Sequence, residues 1–248
     1  MDPTPGWHLA LAVVVLGATA VLVAWVGRIG GARDIGVAVA RAVVQLGLVS
    51  SVLVMVLRSS GLTAAFVMVM LAVATFSSAR RIAPNRRVSG WTVLPIAGGA
   101  LPALGVTLAT GAVPLTNISV LPVAGILIGG AMTATSLSGR QARTSLTTRW
   151  GEFEAGLAIG LSVREATLEL VRPSVGLALV PAIDQTRTVG LVTLPGAFVG
   201  VLLGGGTAVQ AGAAQVLVLV GILAAQVVAT VITTEQLARS PTLLGPLR

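Results

Sequence analysis

The chain has no cysteine, no lysine, no tyrosine and only one histidine, His8. Without cysteine there are no disulfides, thiolate–zinc sites or thiol redox chemistry. One histidine beside a predicted membrane interface leaves no histidine metal cluster within a single chain. The missing lysine removes any glycine-rich phosphate loop ending in Lys, so the chain is not its own P-loop ATPase. Charge is scarce as well: 10% of the 248 residues are charged, where a soluble domain carries roughly a quarter. No nucleophile–base pair stands out, so no catalytic residue and no resident metal site are assigned.

What is abundant is hydrocarbon. Hydrophobic residues make up 55% of the chain and the mean hydropathy is +0.96, which places it in the membrane class. Seven apolar segments stand out, at 7–26, 35–57, 61–79, 91–110, 118–137, 188–206 and 211–232. Each approaches the ~20 residues a helix needs to cross a bilayer. Helix is the state that satisfies the backbone in lipid without pairing to another strand, and the period-2 alternation of a barrel is absent. The expected fold is an all-α polytopic bundle of about seven spans, one domain over 1–248. The first run, Trp7 to Val26, lacks a basic leader and is long enough to span, so a cleaved signal is not expected.

All sixteen basic residues are arginine, and they gather at alternate span ends. Arg28 and Arg33 follow span one. Arg80, Arg81, Arg86 and Arg87 follow span three. Arg140, Arg143, Arg149, Arg164 and Arg172 follow span five, and Arg239 and Arg248 come last. The opposite loops carry only Arg58. The positive-inside rule then puts the N-terminus outside, and the C-terminus and a 139–187 loop in the cytoplasm. Membrane orientation explains the net charge of +8, so no nucleic-acid partner is expected. Trp7, Trp25 and Trp91 fall at span ends, as interfacial aromatics do.

The polar excursion 154–173 is the most informative stretch. Ser162-Val163-Arg164-Glu165 is a capping-box pattern and predicts a helix from 163. Its packed face would carry Val163, Ala166, Thr167, Leu170 and Val171, leaving Glu165, Glu169 and Arg172 more exposed. Gly160 permits a sharp turn after a helix over 152–159. Two readings fit such an element: an amphipathic helix on the membrane surface, or a socket for a soluble partner. The order Glu154-Ala155-Gly156, three residues, Gly160, nine residues, Leu170, then Pro173 resembles the coupling loop of ABC-transporter permeases, with Gly156 replacing the second Ala and Arg172 the residue before Pro. The resemblance implies that Glu152, Glu154, Ala155, Gly156, Gly160, Glu165, Arg172 and Pro173 couple the chain to an ATPase.

A second resemblance covers nearly the whole chain. Its signature segments are Ala40-Arg41-Ala42-Val43-Val44-Gln45-Leu46, Leu121 to Ile126 continuing through Gly129-Gly130-Ala131-Met132, Pro181-Ala182-Ile183-Asp184, and Thr188 to Gly196. Together they resemble the FetB-type iron-export permeases, to which the plant aluminium-tolerance permeases are related. That resemblance implies a multi-pass permease of the bacterial inner membrane, linked to export of iron or a related metal species. It also implies a separate soluble subunit carrying ATP and Mg. A single chain with one coupling loop offers half of a two-fold machine, so a permease homodimer is expected. The family pattern has Asn where this chain has Gly130, Met after the Leu-Pro-Gly where it has Ala197 and Phe198, and often Tyr where it has Ala214.

Candidate path or gate residues are Arg41, Gln45, Met132, Asp184, Arg187, Pro195 and Gln215. Arg41 and Gln45 share a helix face; Arg41 either snorkels to the interface or contacts an anion or Asp184 as a gate. Asp184 and Arg187 form either an interfacial i,i+3 pair or part of an inner gate. Asn117, Gln210 and Gln226 are further scattered polar positions whose ordinary use is packing. Gly125, Gly129, Gly196, Gly200 and Gly204 recur at the small-residue spacing that lets helices approach in lipid. The 174–206 stretch allows one long kinked helix, or an interfacial helix to 187 followed by a span. The cost of Asp184, Gln185 and Arg187 at mid-bilayer favours the second. An importer of a small solute or anion and an ion-coupled carrier stay open as alternatives, although the mid-membrane regions hold few of the ionisable residues that carriers keep there.

Overall fold

A computed structural model describes residues 6–83 and 90–244; Arg86, Arg87 and Arg248 fall outside the described residues. Within them there is no strand, and the one β-bridge, Val189 to Thr193, is isolated. Seven helical runs are long and apolar enough to cross a membrane. The chain divides into two compact units, 1–58 and 59–248.

The first unit is a helical hairpin. α1 (Trp7–Val26) and α2 (Ala32–Leu57) are joined by a turn in which Arg28, Gly30 and Gly31 all have positive φ. Gly17 of α1 lets Val39 of α2 approach: a Cβ there would stand 3.2 Å from Val39 Cγ1.

The second unit is a bundle built on α3 (Ser60–Ile82), α4 (Val93–Ala109), α5 (Asn117–Thr148) and α10 (Ala208–Arg239). One apolar cluster joins them midway, with Leu71, Ala74, Ile96, Ala100, Leu127, Ile128, Ala131, Ala134, Ala225 and Ala229. Small residues dominate it because helices in lipid gain by close van der Waals approach and lose nothing by lacking bulk. A second cluster (Ile82, Ala142, Leu146, Phe153, Ala166, Leu170, Val171, Val175, Leu237) closes one end. Trp91 packs against that cluster, a more protein-facing place than an interfacial aromatic has.

Two boundaries differ from the sequence expectation. α5 continues to Thr148 instead of ending near 137, so it runs 32 residues, about 48 Å at 1.5 Å per residue. Hydropathy falls after 137, but the helix does not stop, because Ala142 and Leu146 are buried in the end cluster; the Ser138 and Thr148 hydroxyls donate back to the carbonyls of Ala134 and Thr144 and so need no partner outside the helix.

The sixth crossing also moves. α7 (Val163–Val175), a 3-10 segment Gly176–Leu179 and α8 (Val180–Thr188) form one 26-residue run. The expected 188–206 span is broken into a turn and the eight-residue α9 (Gly196–Leu203), about 12 Å long and too short to cross. Gly190 takes φ +82° and Pro195 biases its predecessor away from helix, so two breakers fall within six positions. The mid-bilayer penalty for Asp184, Gln185 and Arg187 does not arise, since they sit at the far end of the run from Arg164. Most of the stretch 139–187, expected as a loop, is therefore helical extension of two spans. Only α6 (Trp150–Ala158) and its turn lie between them.

Candidate functional site

Between α5 and α7 the chain makes a tight elbow. α6 ends in a Schellman motif: Gly160 N–H donates to Leu157 O (3.1 Å) and Leu161 N–H to Gly156 O (3.0 Å), with Gly160 at φ +98°. Two residues later Ser162 opens α7. Its Oγ accepts from Glu165 N–H (3.2 Å), while the Glu165 carboxylate accepts from Ser162 N–H (2.9 Å) and Oγ–H (2.6 Å). The capping box and the Gly160 turn stand where the sequence placed them. The packed face of α7 differs at its start: Val163 is exposed and Leu168 buried, alongside Ala166, Thr167, Leu170 and Val171.

Gly156 has its own geometric reason. A Cβ there would meet Leu161 Cδ1 at 3.3 Å and Ala166 Cβ at 3.4 Å. The elbow folds tightly enough that alanine, the residue of the permease pattern, would crowd the turn.

Phe153 (6% exposed) anchors α6 on the end cluster, and Trp150 stacks beside it with ring centroids 4.9 Å apart. Trp150 Nε1–H donates to Glu154 (2.8 Å), and Arg149 Nε–H to Glu152 (2.8 Å). That hydrogen bond holds the Glu152 carboxyl below its usual range and raises the Arg149 guanidinium. A lowered carboxyl contributes stability above its unfolded pKa and loses it as pH falls through the folded value; being exposed, this pair contributes little. The elbow's outer surface carries Leu157, Ile159, Leu161 and Val163, with Ile159 82% exposed. An apolar patch rimmed by Glu152, Glu154, Arg164 and Glu165 is the composition of a contact surface.

The elbow is tied to the last helix. Arg164 Nε–H and NH2 donate to the two oxygens of Glu235 (2.7 and 2.9 Å), and Arg239 Nε–H donates to the same carboxylate (2.7 Å). Sequence reading did not anticipate this link, which joins positions 71 apart; opposite charges at the start of one helix and the end of another were its only trace.

The other candidates scatter. Ala155 sits in α6; Arg172 and Pro173 are exposed within α7, where Pro173 leaves the helix unbroken. Arg41 and Gln45 lie one turn apart on an exposed face of α2, and Arg41 joins none of the ion pairs among the described residues. Asp184 and Arg187 are exposed in α8 and join none of the ion pairs of the described residues. Met132 is half-buried against the midway cluster.

Pro195 and Gln215 both serve the start of α9. Pro195 is the N-cap of α9, and buried Gln215 accepts a hydrogen bond from Phe198 N–H (3.2 Å). A side chain of α10 thereby satisfies the start of a half-helix that folds back along it. α9 ends in a second Schellman turn, Gly206 N–H to Val201 O (2.9 Å) and Gly205 N–H to Leu202 O (3.1 Å). A second capping box, Thr207 with Gln210, then opens α10.

Among the glycines, Gly125 does allow close approach, since a Cβ would stand 2.7 Å from Met70 Cε. Gly129, Gly196 and Gly200 have no described atom within 4 Å of that position, and Gly204 meets only its own turn. The tightest packing glycine is Gly99, where a Cβ would be 2.3 Å from Ala225 O. Its signal was in the sequence: Gly99 and Ala103 on one helix, Gly221, Ala225 and Ala229 on the other, all at i,i+4.

Residues 7–241 match the uncharacterised protein family UPF0014. The chain belongs to that family. It is 30% identical over 228 residues to UPF0014 membrane protein STAR2 of Oryza sativa subsp. japonica, covering 90% of this chain and 79% of that one. It is 29% identical over 230 residues to Protein ALUMINUM SENSITIVE 3 of Arabidopsis thaliana, covering 91% and 82%. To the "Probable iron export permease protein FetB" of Escherichia coli strain K12 it is 28% identical over 226 residues, covering 90% and 86%. No solved structure matches. Seven spanning runs and membership of this membrane-protein family make the chain a multi-pass membrane protein, and the relative's name points to a transport subunit rather than an enzyme.

Proposed function

We propose that the chain is the permease subunit of an ATP-driven transporter exporting iron or a related metal species, with ATP and Mg bound on a separate soluble subunit of the ABC class. The observation that carries this reading is the elbow: a short helix, a Schellman turn and a capping box presenting exposed Ile159 among charged side chains. Such a rigid knob fits a groove on a partner, and its tie through Arg164 and Glu235 gives a push on α6 a direct route to α10. Arginine placement supports a cytoplasmic elbow, on the side where ATP is. The name of the FetB relative supplies the iron export. Two copies would complete a two-fold machine, and the uncovered faces of Gly196 and Gly200 offer the small-residue surface for it.

Docking is tested by co-purifying the ATP-binding subunit with Glu154→Arg and Gly160→Leu variants. Loss of association is expected, and undiminished association rejects the elbow as the socket. Substrate is tested in proteoliposomes holding both subunits, comparing ferrous iron efflux with a panel of small anions. Iron efflux is expected, and anion transport in its place would favour the importer alternative.

A further inference from the structure

The inside of the second unit holds polar atoms that have nothing to bond. Among the described residues, one such atom is Oε1 of half-buried Gln236, next to Leu237 of the end cluster. Deeper in the bundle, the hydroxyls of Thr75, Thr135 and Thr230 and the carboxamide oxygen of Gln226 are also buried without a hydrogen-bond partner. The residues themselves are 4%, 0%, 5% and 8% exposed. Elsewhere in the same helices threonines bond back to a carbonyl one turn earlier, as Thr233 does to Ala229 (2.7 Å) and Thr234 to Thr230 (2.8 Å). These three do not.

Their positions form a level. Thr75, Thr135 and Thr230 each stand seven residues before a member of the end cluster, Ile82, Ala142 and Leu237 respectively. Seven residues are nearly two helical turns, so each hydroxyl shares the inward face of that core residue and lies about 10 Å along from it. The three helices run in parallel register. Ser78 bonds Ser136 (3.0 Å), and Cβ positions on Gly125 and Gly139 would strike Met70 and Ile82. Gly130 faces Ile222 and Gln226, and Gly221 faces Leu127. By that register the three hydroxyls fall within about 5 Å of one another along the bundle axis. Thr92 reaches the same level from the start of α4, donating to Thr75 O (2.8 Å). Apolar clusters lie on both sides of this level.

Each unsatisfied polar group buried away from water costs several kcal/mol in order of magnitude, so a bundle stabilised by close apolar packing has no structural reason to collect four. We infer that this threonine level, with Gln226 one turn above, is a polar station on the transport path. It is closed in the conformation described and takes up water and solute when α10 moves relative to α3 and α5. The donor set is neutral oxygen without carboxylate, imidazole or thiol, so it suits a solute that keeps its own hydration shell and not a stripped metal ion. This rests on the transport reading above, and on the bundle side of it only.

The chain's lack of cysteine makes the test direct. Thr135→Cys and Thr230→Cys, which replace the hydroxyl by a thiol and remove one methyl group, and Gln226→Cys are made singly in the full chain. They are probed in membrane vesicles with a water-soluble methanethiosulfonate, against Val231→Cys, whose parent residue is 61% exposed on the outside of α10. Labelling of the station positions at least tenfold faster than Val231→Cys is expected. Variants at three sites on two helices guard against one that fails to insert, which size-exclusion homogeneity reveals. Labelling no faster than the control, with or without ATP and the ATP-binding subunit, overturns the station and leaves elbow docking intact. Fast labelling together with undiminished ATPase association of the Glu154→Arg variant leaves the station standing and removes the socket.

Discussion

Single residues set the shape of the elbow, and glycine is the clearest example. Gly160 holds φ +98°, a conformation other residues adopt at roughly 1–3 kcal/mol. Gly160→Ala is therefore expected to lower the detergent melting temperature, whereas Gly129→Ala, with an ordinary helical backbone and open space around it, is expected to leave it nearly unchanged. Gly99→Ala is the harsher change, because its methyl meets a backbone carbonyl and α4 and α10 must part. Overpacking of that kind costs about 1–3 kcal/mol. Thermal melts of the three purified variants check the order, and a Gly99→Ala protein as stable as Gly129→Ala would refute the packing account.

Among elements, legibility followed locality. The capping box at Ser162–Glu165 was readable because both partners lie within four residues and each backbone donor has one nearby acceptor. Ser162→Ala leaves Glu165 N–H uncapped at the point where the elbow turns, so a loss of about 1 kcal/mol is expected, read in the same melts. Span boundaries were less legible. Hydropathy cannot see that Ser138 and Thr148 feed their hydroxyls back into α5, nor that Gly190 and Pro195 together outweigh an apolar run. The sixth crossing was misplaced for that second reason, and with it the location of Asp184 and Arg187. The Arg164–Glu235 link and the Phe198–Gln215 cap were invisible for another reason: a long-range contact between two polar residues leaves no periodicity behind.

At the scale of the whole molecule, the second unit reads as a bundle with a handle. The handle is the elbow, and Glu235 is the joint that fastens it to α10 between two guanidinium groups. Exposed ion pairs contribute little to folding, so Glu235→Gln is expected to insert at normal yield. In the reconstituted complex the same variant is expected to hydrolyse ATP while transport per ATP falls several-fold, because the push then reaches α10 through the apolar end cluster alone. Transport and hydrolysis measured in the same vesicles give that ratio, and an unchanged ratio would remove the joint from the mechanism.

The claim on which the rest depends is that the knob around Ile159 faces the cytoplasm and is covered by a motor subunit. A single thiol placed by Ile159→Cys, in a chain with none of its own, reads both properties at once. With a membrane-impermeant maleimide, the predicted result is labelling in inverted vesicles, none in intact cells, and protection when the ATP-binding subunit is co-expressed. Labelling from outside intact cells, or equal labelling with and without that subunit, would contradict the account.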